Sequence, residues 1–201
     1  MEKRLDRSFF ETDALTLARK LLGCTLVHNG PDGRTAGVIV ETEAYRGQVD
    51  KAAHSYGKKP GGRTAVQFGP GGYAYIYLIY GIHECFNVVA GAVGEPECVL
   101  IRALAPTEGL PLMMGRRHRE KVEELCSGPG KLCKAMAITR ELYGCDLCGE
   151  ELYVTAGAVT DIEVAVTPRI GVGYAEEAAL FPWRFIIKES RYLSLPFQKE
   201  K

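Results

Sequence analysis

The spacing of apolar residues changes from helical to alternating within the first thirty positions and then stays mostly alternating. Leu15, Ala18, Leu21 and Leu22 recur on one helical face, with Thr12 or Asp13 as N-cap and Gly23 as stop, so residues 14–22 predict a helix. Residues 25–28 then read as a strand and 29–33 as a turn-rich loop. The β-branched run Val38-Ile39-Val40 opens a second strand, giving a hairpin. A strict alternation through that strand would put Ile39, Glu41, Glu43 and Tyr45 on one face.

Residues 56–72, rich in Gly, Lys and Pro, predict a surface loop ending in Gly69-Pro70-Gly71-Gly72. The β-prone run Tyr73 to Tyr80 and the run Cys85 to Ala90 predict a second hairpin, with its tip near Tyr80-Gly81-Ile82-His83. Residues 98–104 predict a strand with Cys98, Leu100 and Arg102 on one face, leaving the sheet at Ala105-Pro106. Residues 109–143 look largely helical, broken at Ser127-Gly128-Pro129-Gly130, and short strands follow near 151–154, 163–166 and 183–187. The expectation is a mixed α+β fold: one domain over residues 1–201, with a curved, mostly antiparallel, open-barrel-like sheet, surrounding helices and a protruding hairpin.

Composition adds bounds. With 201 residues, 46% hydrophobic and 25% charged, the chain suits a single globular domain. No apolar run approaches a membrane span, and the start lacks a secretory signal, so a cytoplasmic protein is expected. The seven cysteines then read as thiols; Cys145 and Cys148 form one C-x-x-C with no second pair, so no metal is assigned. Net charge is zero, but residues 116–140 hold seven Lys or Arg against three Glu. That cluster, with Arg116, Arg117 and Lys131, is either a solvated helix face or a contact for a phosphate backbone.

The candidate chemistry centres on Glu43. Hydrolysis of an N-glycosidic bond needs water deprotonated as it attacks an oxocarbenium-like carbon, a task for a positioned carboxylate. Glu41 on the same face leaves open a two-carboxylate glycosidase, or an ion pair instead of catalysis. Arg102 on an apolar strand requires an acidic partner, either Glu41 or Glu43. Tyr45, His54, Tyr75 and Tyr77 would sandwich a planar base or simply pack the sheet. Asn87 in a buried strand must be hydrogen-bonded. Tyr80, at a hairpin tip with little core to join, suits a wedge that enters a duplex.

Taken in order, Glu41-Thr42-Glu43-Ala44-Tyr45, Ala52-Ala53-His54-Ser55, residues 75–81, 99–104, 127–132 and 168–175 resemble the alkyladenine (3-methyladenine) DNA glycosylase family over nearly the whole chain. The resemblance implies a monofunctional glycosylase of base excision repair, without cofactor, acting as a monomer on double-stranded DNA that contains damaged purines. By similarity Glu43 is the general base and Arg102 helps hold the water. Tyr45, His54 and Tyr77 stack the flipped base, Asn87 shapes the pocket, and Tyr80 intercalates. Gln67 and Ile82 stand where the family pattern has methionines. Two other readings stay open: a hydrolase of free nucleosides, and a lesion-binding protein without chemistry.

Overall fold

The computed structural model describes residues 3–157 and 162–197. A short helix α1 (Arg7–Phe10) precedes α2 (Ala14–Leu21), whose N-cap is Asp13, its carboxylate accepting from the amides of Leu15 and Thr16. Leu17, not Leu15, completes the buried stripe with Ala14, Ala18 and Leu21; Leu15 only edges the core. Strands β1 (Thr25–Gly30) and β2 (Gly33–Tyr45) form the first hairpin, closing on Gly30 opposite Gly33. Strands β3 (Ala74–Ile79) and β4 (His83–Ala90) form the second.

Strand β5 (Glu97–Glu108) runs past Pro106, against expectation. Pro106 sits opposite Gly37 beside an irregularity in the pairing, where the missing N–H does not interrupt the ladder. Helices α3 (Leu110–Arg117) and α4 (Pro129–Met136) follow, then β6 (Leu152–Thr155), β7 (Val164–Thr167) and β8 (Arg184–Ile187). The sheet order is β3-β4-β5-β2-β1-β6, with β8 also paired to β2 and β7 to β8. Every pairing is antiparallel, and the sheet stays open.

The two faces of the sheet do different work. Ile39, Thr42, Ala44, Phe86, Val88, Val99, Ile101 and Leu104 face the helices; most join the main core, and the Thr42 hydroxyl donates to the Ala18 carbonyl. The opposite face carries Glu41, Glu43, Tyr45, Tyr75, Asn87, Leu100 and Arg102.

Two bulges make this partition. Ile39 pairs with Leu104, Glu41 with Ala103 and Thr42 with Ile101, so Val40 and Arg102 are extra residues. The bulge at Val40 turns Ile39 onto the helix side, away from Glu41, which corrects the simple alternation expected for this strand. Bulges of this kind re-aim side chains beside functional sites.

The 56–72 segment is not simply a surface loop. Residues Gly62–Phe68 form a tight helical turn that buries Thr64, Gln67 and Phe68 against the sheet. By contrast, the β3–β4 hairpin loses burial towards its tip, where Tyr80 is 85% and Ile82 71% exposed.

Candidate active site

A cavity of about 520 Å³ opens on the polar face of the sheet, walled by Tyr45, His54, Tyr75, Tyr77, Asn87 and Arg102 among others. Strand alternation brings Tyr75 and Tyr77 from β3, Asn87 from β4 and Arg102 from β5 to this face. His54 arrives from the turn after β2. Tyr75 and Tyr77 stack with centroids 5.5 Å apart, and His54 meets Tyr77 edge-on at 4.5 Å. Its Nδ1 lies 2.8 Å from the Tyr75 hydroxyl. Burial first, then the charges of Arg63 and Lys58, push the His54 pKa down to about 4. The ring is therefore neutral near pH 7, with its second nitrogen left for a ligand. Burial raises the Tyr45, Tyr75 and Tyr77 phenols, the Glu43 charge adding to the effect at Tyr45, so all three keep their protons.

Glu43 is fully buried behind this cavity, hydrogen-bonded to Tyr45, Arg102 and Ile170, which line it. Its Oε1 accepts the Ile170 amide at 2.7 Å; its Oε2 accepts the Tyr45 hydroxyl at 2.8 Å and Arg102 Nη1 at 3.2 Å. A carboxylate oxygen has two lone pairs, so Oε2 is filled and Oε1 retains one acceptor site.

Glu41 differs. Its Oε1 accepts Arg184 Nε at 2.7 Å, the Ser194 hydroxyl at 2.6 Å and Arg102 Nε at 3.1 Å, and its Oε2 accepts the Ser194 amide at 2.6 Å. Burial pushes the Glu41 carboxyl up, but the Ser194 hydrogen bonds with the Arg184 and Arg102 charges overcome it and hold the pKa below the usual value. A carboxyl held ionised in this way is a poor acid, so the acid half of a two-carboxylate arrangement is missing. Arg102 pairs with both glutamates, which answers the question its sequence position raised.

Sequence reasoning missed the support beneath this site. Asp50 and Arg169, both fully buried, form a two-pronged ion pair at 2.5 and 2.8 Å. Arg169 also donates to the carbonyls of Ala44 and Ala178, and its guanidinium lies over the rings of Tyr45 and Trp183 at 4.8 and 4.9 Å. Fixing Arg169 fixes the adjacent Ile170 amide that Glu43 accepts. The only hint in the sequence was an arginine inside Pro168-Arg169-Ile170-Gly171; nothing local pointed to Asp50 as its partner. Ser194 carried no signal either, because its role depends on where the C-terminal segment crosses β2.

Asn87 is 2% exposed, and its amide donates to the Tyr75 carbonyl at 3.2 Å. Tyr80 and Gly81 both take positive φ, 53° and 72°, in a two-residue turn closed by Ile82 N to Ile79 O at 3.2 Å. Such turns favour Asn-Gly. A tyrosine there costs about 1–2 kcal/mol of local strain and stays 85% exposed.

Of the basic candidates, Arg116 is held by Asp32 at 2.5 Å and by the Ala135 carbonyl at 2.7 Å, while Arg117 donates to the Leu125 carbonyl. Lys131 is exposed on the first turn of α4, whose Gly130 packs against His83 of the hairpin. All seven cysteines are free thiols; among the described residues no group of three or more His, Cys, Asp or Glu is gathered as for a metal ion. Among those residues, too, no helix is long and apolar enough to cross a membrane.

Residues 8–191 match the family model of methylpurine-DNA glycosylase (MPG). The chain is 45% identical over 201 residues to a protein of Desulfitobacterium hafniense named "Putative 3-methyladenine DNA glycosylase", covering 96% of this chain and 99% of that one. A protein of the same name from Methanocella arvoryzae is 50% identical over 192 residues, 94% and 95% of the two chains. A third, from Alkaliphilus oremlandii, is 45% identical over 199 residues, 95% and 98% of the two chains.

Proposed function

The chain belongs to the methylpurine-DNA glycosylase family, and we propose that it flips a damaged purine out of duplex DNA into the tyrosine-lined cavity and hydrolyses the base–sugar bond with water activated by Glu43. The family makes it a DNA glycosylase for alkylated purines, an N-glycosyl hydrolase that binds DNA. The finer reading rests on one observation above all: a fully buried carboxylate, held by Arg102 and the Ile170 amide, beside a cavity of stacked aromatic rings.

The chemistry follows from the geometry. An extruded purine stacks on Tyr77 and Tyr45 and meets the edge of His54, as flipped bases generally do in aromatic pockets. Water bound at Glu43 Oε1 loses its proton to the carboxylate as it attacks the anomeric carbon. Positive charge on an N-alkylated purine weakens the bond, and the anion of Glu43 stabilises the developing oxocarbenium character. No lysine lines the cavity among the described residues, which supports water rather than an amine as nucleophile. The product is then an intact strand with an abasic site.

Tyr80, with Ile82 beside it, is assigned as the wedge that fills the space left by the extruded nucleotide. Lys131, whose neighbour Gly130 packs against His83 beside the hairpin tip, is the better placed backbone contact; Arg116 and Arg117 contribute charge while being partly tied to the protein. The enzyme works as a monomer in the cytoplasm, on DNA carrying 3-methyladenine, 7-methylguanine or hypoxanthine.

A nucleoside hydrolase would have no use for the strained, exposed Tyr80. The test is release of free base from a duplex with one hypoxanthine or 3-methyladenine. The expected result is base release and a strand that breaks only after alkali. Tight binding without release would favour a lesion-binding protein, and release from nucleosides but not duplex would favour the hydrolase.

A further inference from the structure

Gln67 is 1% exposed, lines the same cavity, and its carbonyl oxygen accepts no hydrogen bond among the described residues. It follows Val66, which packs in the cluster of Tyr45, Tyr73, Tyr75 and Tyr77, so the turn at Gly62–Phe68 delivers it to the aromatic wall. Buried polar atoms are nearly always paired, and an unmet one destabilises the fold, so an exception at a ligand site calls for a ligand. The other polar group of that wall, the Asn87 amide, is already committed to backbone carbonyls at 3.2 and 3.5 Å. Among the cavity-lining residues, Gln67 is the one whose buried side-chain oxygen has no hydrogen-bond partner among the described residues.

We propose that the Gln67 carbonyl reads the flipped base, accepting a hydrogen bond from an N–H on its Watson–Crick edge. The inference rests on the cavity being a base pocket and adds a substrate class to it. Purines that keep such a donor are favoured: the amino group of 3-methyladenine, or N1–H of hypoxanthine and of 7-methylguanine. An exocyclic etheno adduct of adenine, in which N1 and the amino nitrogen are bridged and bear no hydrogen, is disfavoured. A pocket built around a hydrogen bond discriminates chiefly by what it leaves unpaired when the donor is missing.

The experiment compares wild type with Gln67→Met, close in volume and without the acceptor, on duplexes carrying one hypoxanthine or one 1,N6-ethenoadenine. Single-turnover release is measured for each. The ratio of hypoxanthine to ethenoadenine release falls about tenfold in the variant, the loss of one hydrogen bond's discrimination. Ethenoadenine release seen only in the variant counts as the same shift. The thermal midpoint of Gln67→Met stays level or rises, since an unmet carbonyl has been removed; Gln67→Leu serves as second variant with the same readout. A ratio unchanged within about twofold while both proteins release base overturns the role of Gln67 and leaves the glycosylase reading intact. Absence of release by wild type from both duplexes overturns that reading, and this proposal with it.

Discussion

Glu41 and Glu43 stand two residues apart on one face of β2, both fully buried, both paired to Arg102, yet their surroundings differ. Around Glu41 the donors converge: two arginines, and Ser194 through both its hydroxyl and its amide. Around Glu43 they are fewer: the Ile170 amide on Oε1, and the Tyr45 hydroxyl and Arg102 on Oε2, all three from residues that line the cavity. Equal burial therefore does not give two carboxylates the same surroundings. What differs is the charge gathered on each: two arginines donate to Glu41 and one to Glu43.

That contrast is broken most severely at the shared residue. Arg102→Ala leaves Glu41 with Arg184 but removes the only cation hydrogen-bonded to Glu43 among the described residues, and breaking a buried pair costs about 3–5 kcal/mol. Calorimetry should show a midpoint lower by roughly 6–20 °C for a chain of this size, with base release lost. Ser194→Ala touches only the Glu41 side. It removes one hydrogen bond to a charged group, about 1.5–3 kcal/mol, while release per folded molecule stays within about twofold of wild type. A large activity loss without destabilisation would mean that Glu41 takes part in the chemistry.

Smaller effects sharpen the picture at the cavity and the hairpin. Tyr80→Asn places a residue that tolerates positive φ at the tip, so the midpoint stays level or rises slightly. Release from duplex falls about tenfold, and release from single strands changes less. Equal losses on both substrates would remove the wedge role.

The smallest effect is on pH. His54 has its folded pKa pushed down to about 4 from the ordinary 6.5, so the unfolded chain binds the proton more readily. Its contribution to stability is full above pH 6.5 and declines as pH falls towards 4, with Glu41, also depressed, adding loss below its ordinary 4.5. Thermal midpoints of His54→Gln should fall less steeply than wild type between those limits.

Much of the scaffold was legible because it follows local rules. Asp13 before an apolar helical face, Gly81 at the hairpin tip and Gly128-Pro129 before a helix each name their own structure. Arg102, Tyr45, His54, Tyr77 and Asn87 line one cavity, and Glu43 hydrogen-bonds to Tyr45 and Arg102. What stayed hidden depends on distant contacts. The bulges at Val40 and Arg102 arise from a register between two strands about sixty positions apart, and they moved Ile39 to the other face. Asp50 meets Arg169 across 119 positions, and Glu41 meets Ser194 across 153, so no local pattern signals either contact. Pro106 misled because its missing N–H is harmful only in a regular ladder, which the sheet does not have there.

The most direct test sets Glu41→Gln beside Glu43→Gln, reading both single-turnover base release from a hypoxanthine duplex and thermal unfolding. Glu43→Gln should lose about a thousandfold or more in release, with binding to the lesion duplex kept and a midpoint within a few degrees of wild type. Glu41→Gln should unfold well below wild type, while its folded fraction keeps release within about tenfold. The reverse assignment, with release lost in Glu41→Gln at unchanged stability and retained in Glu43→Gln, would contradict the account.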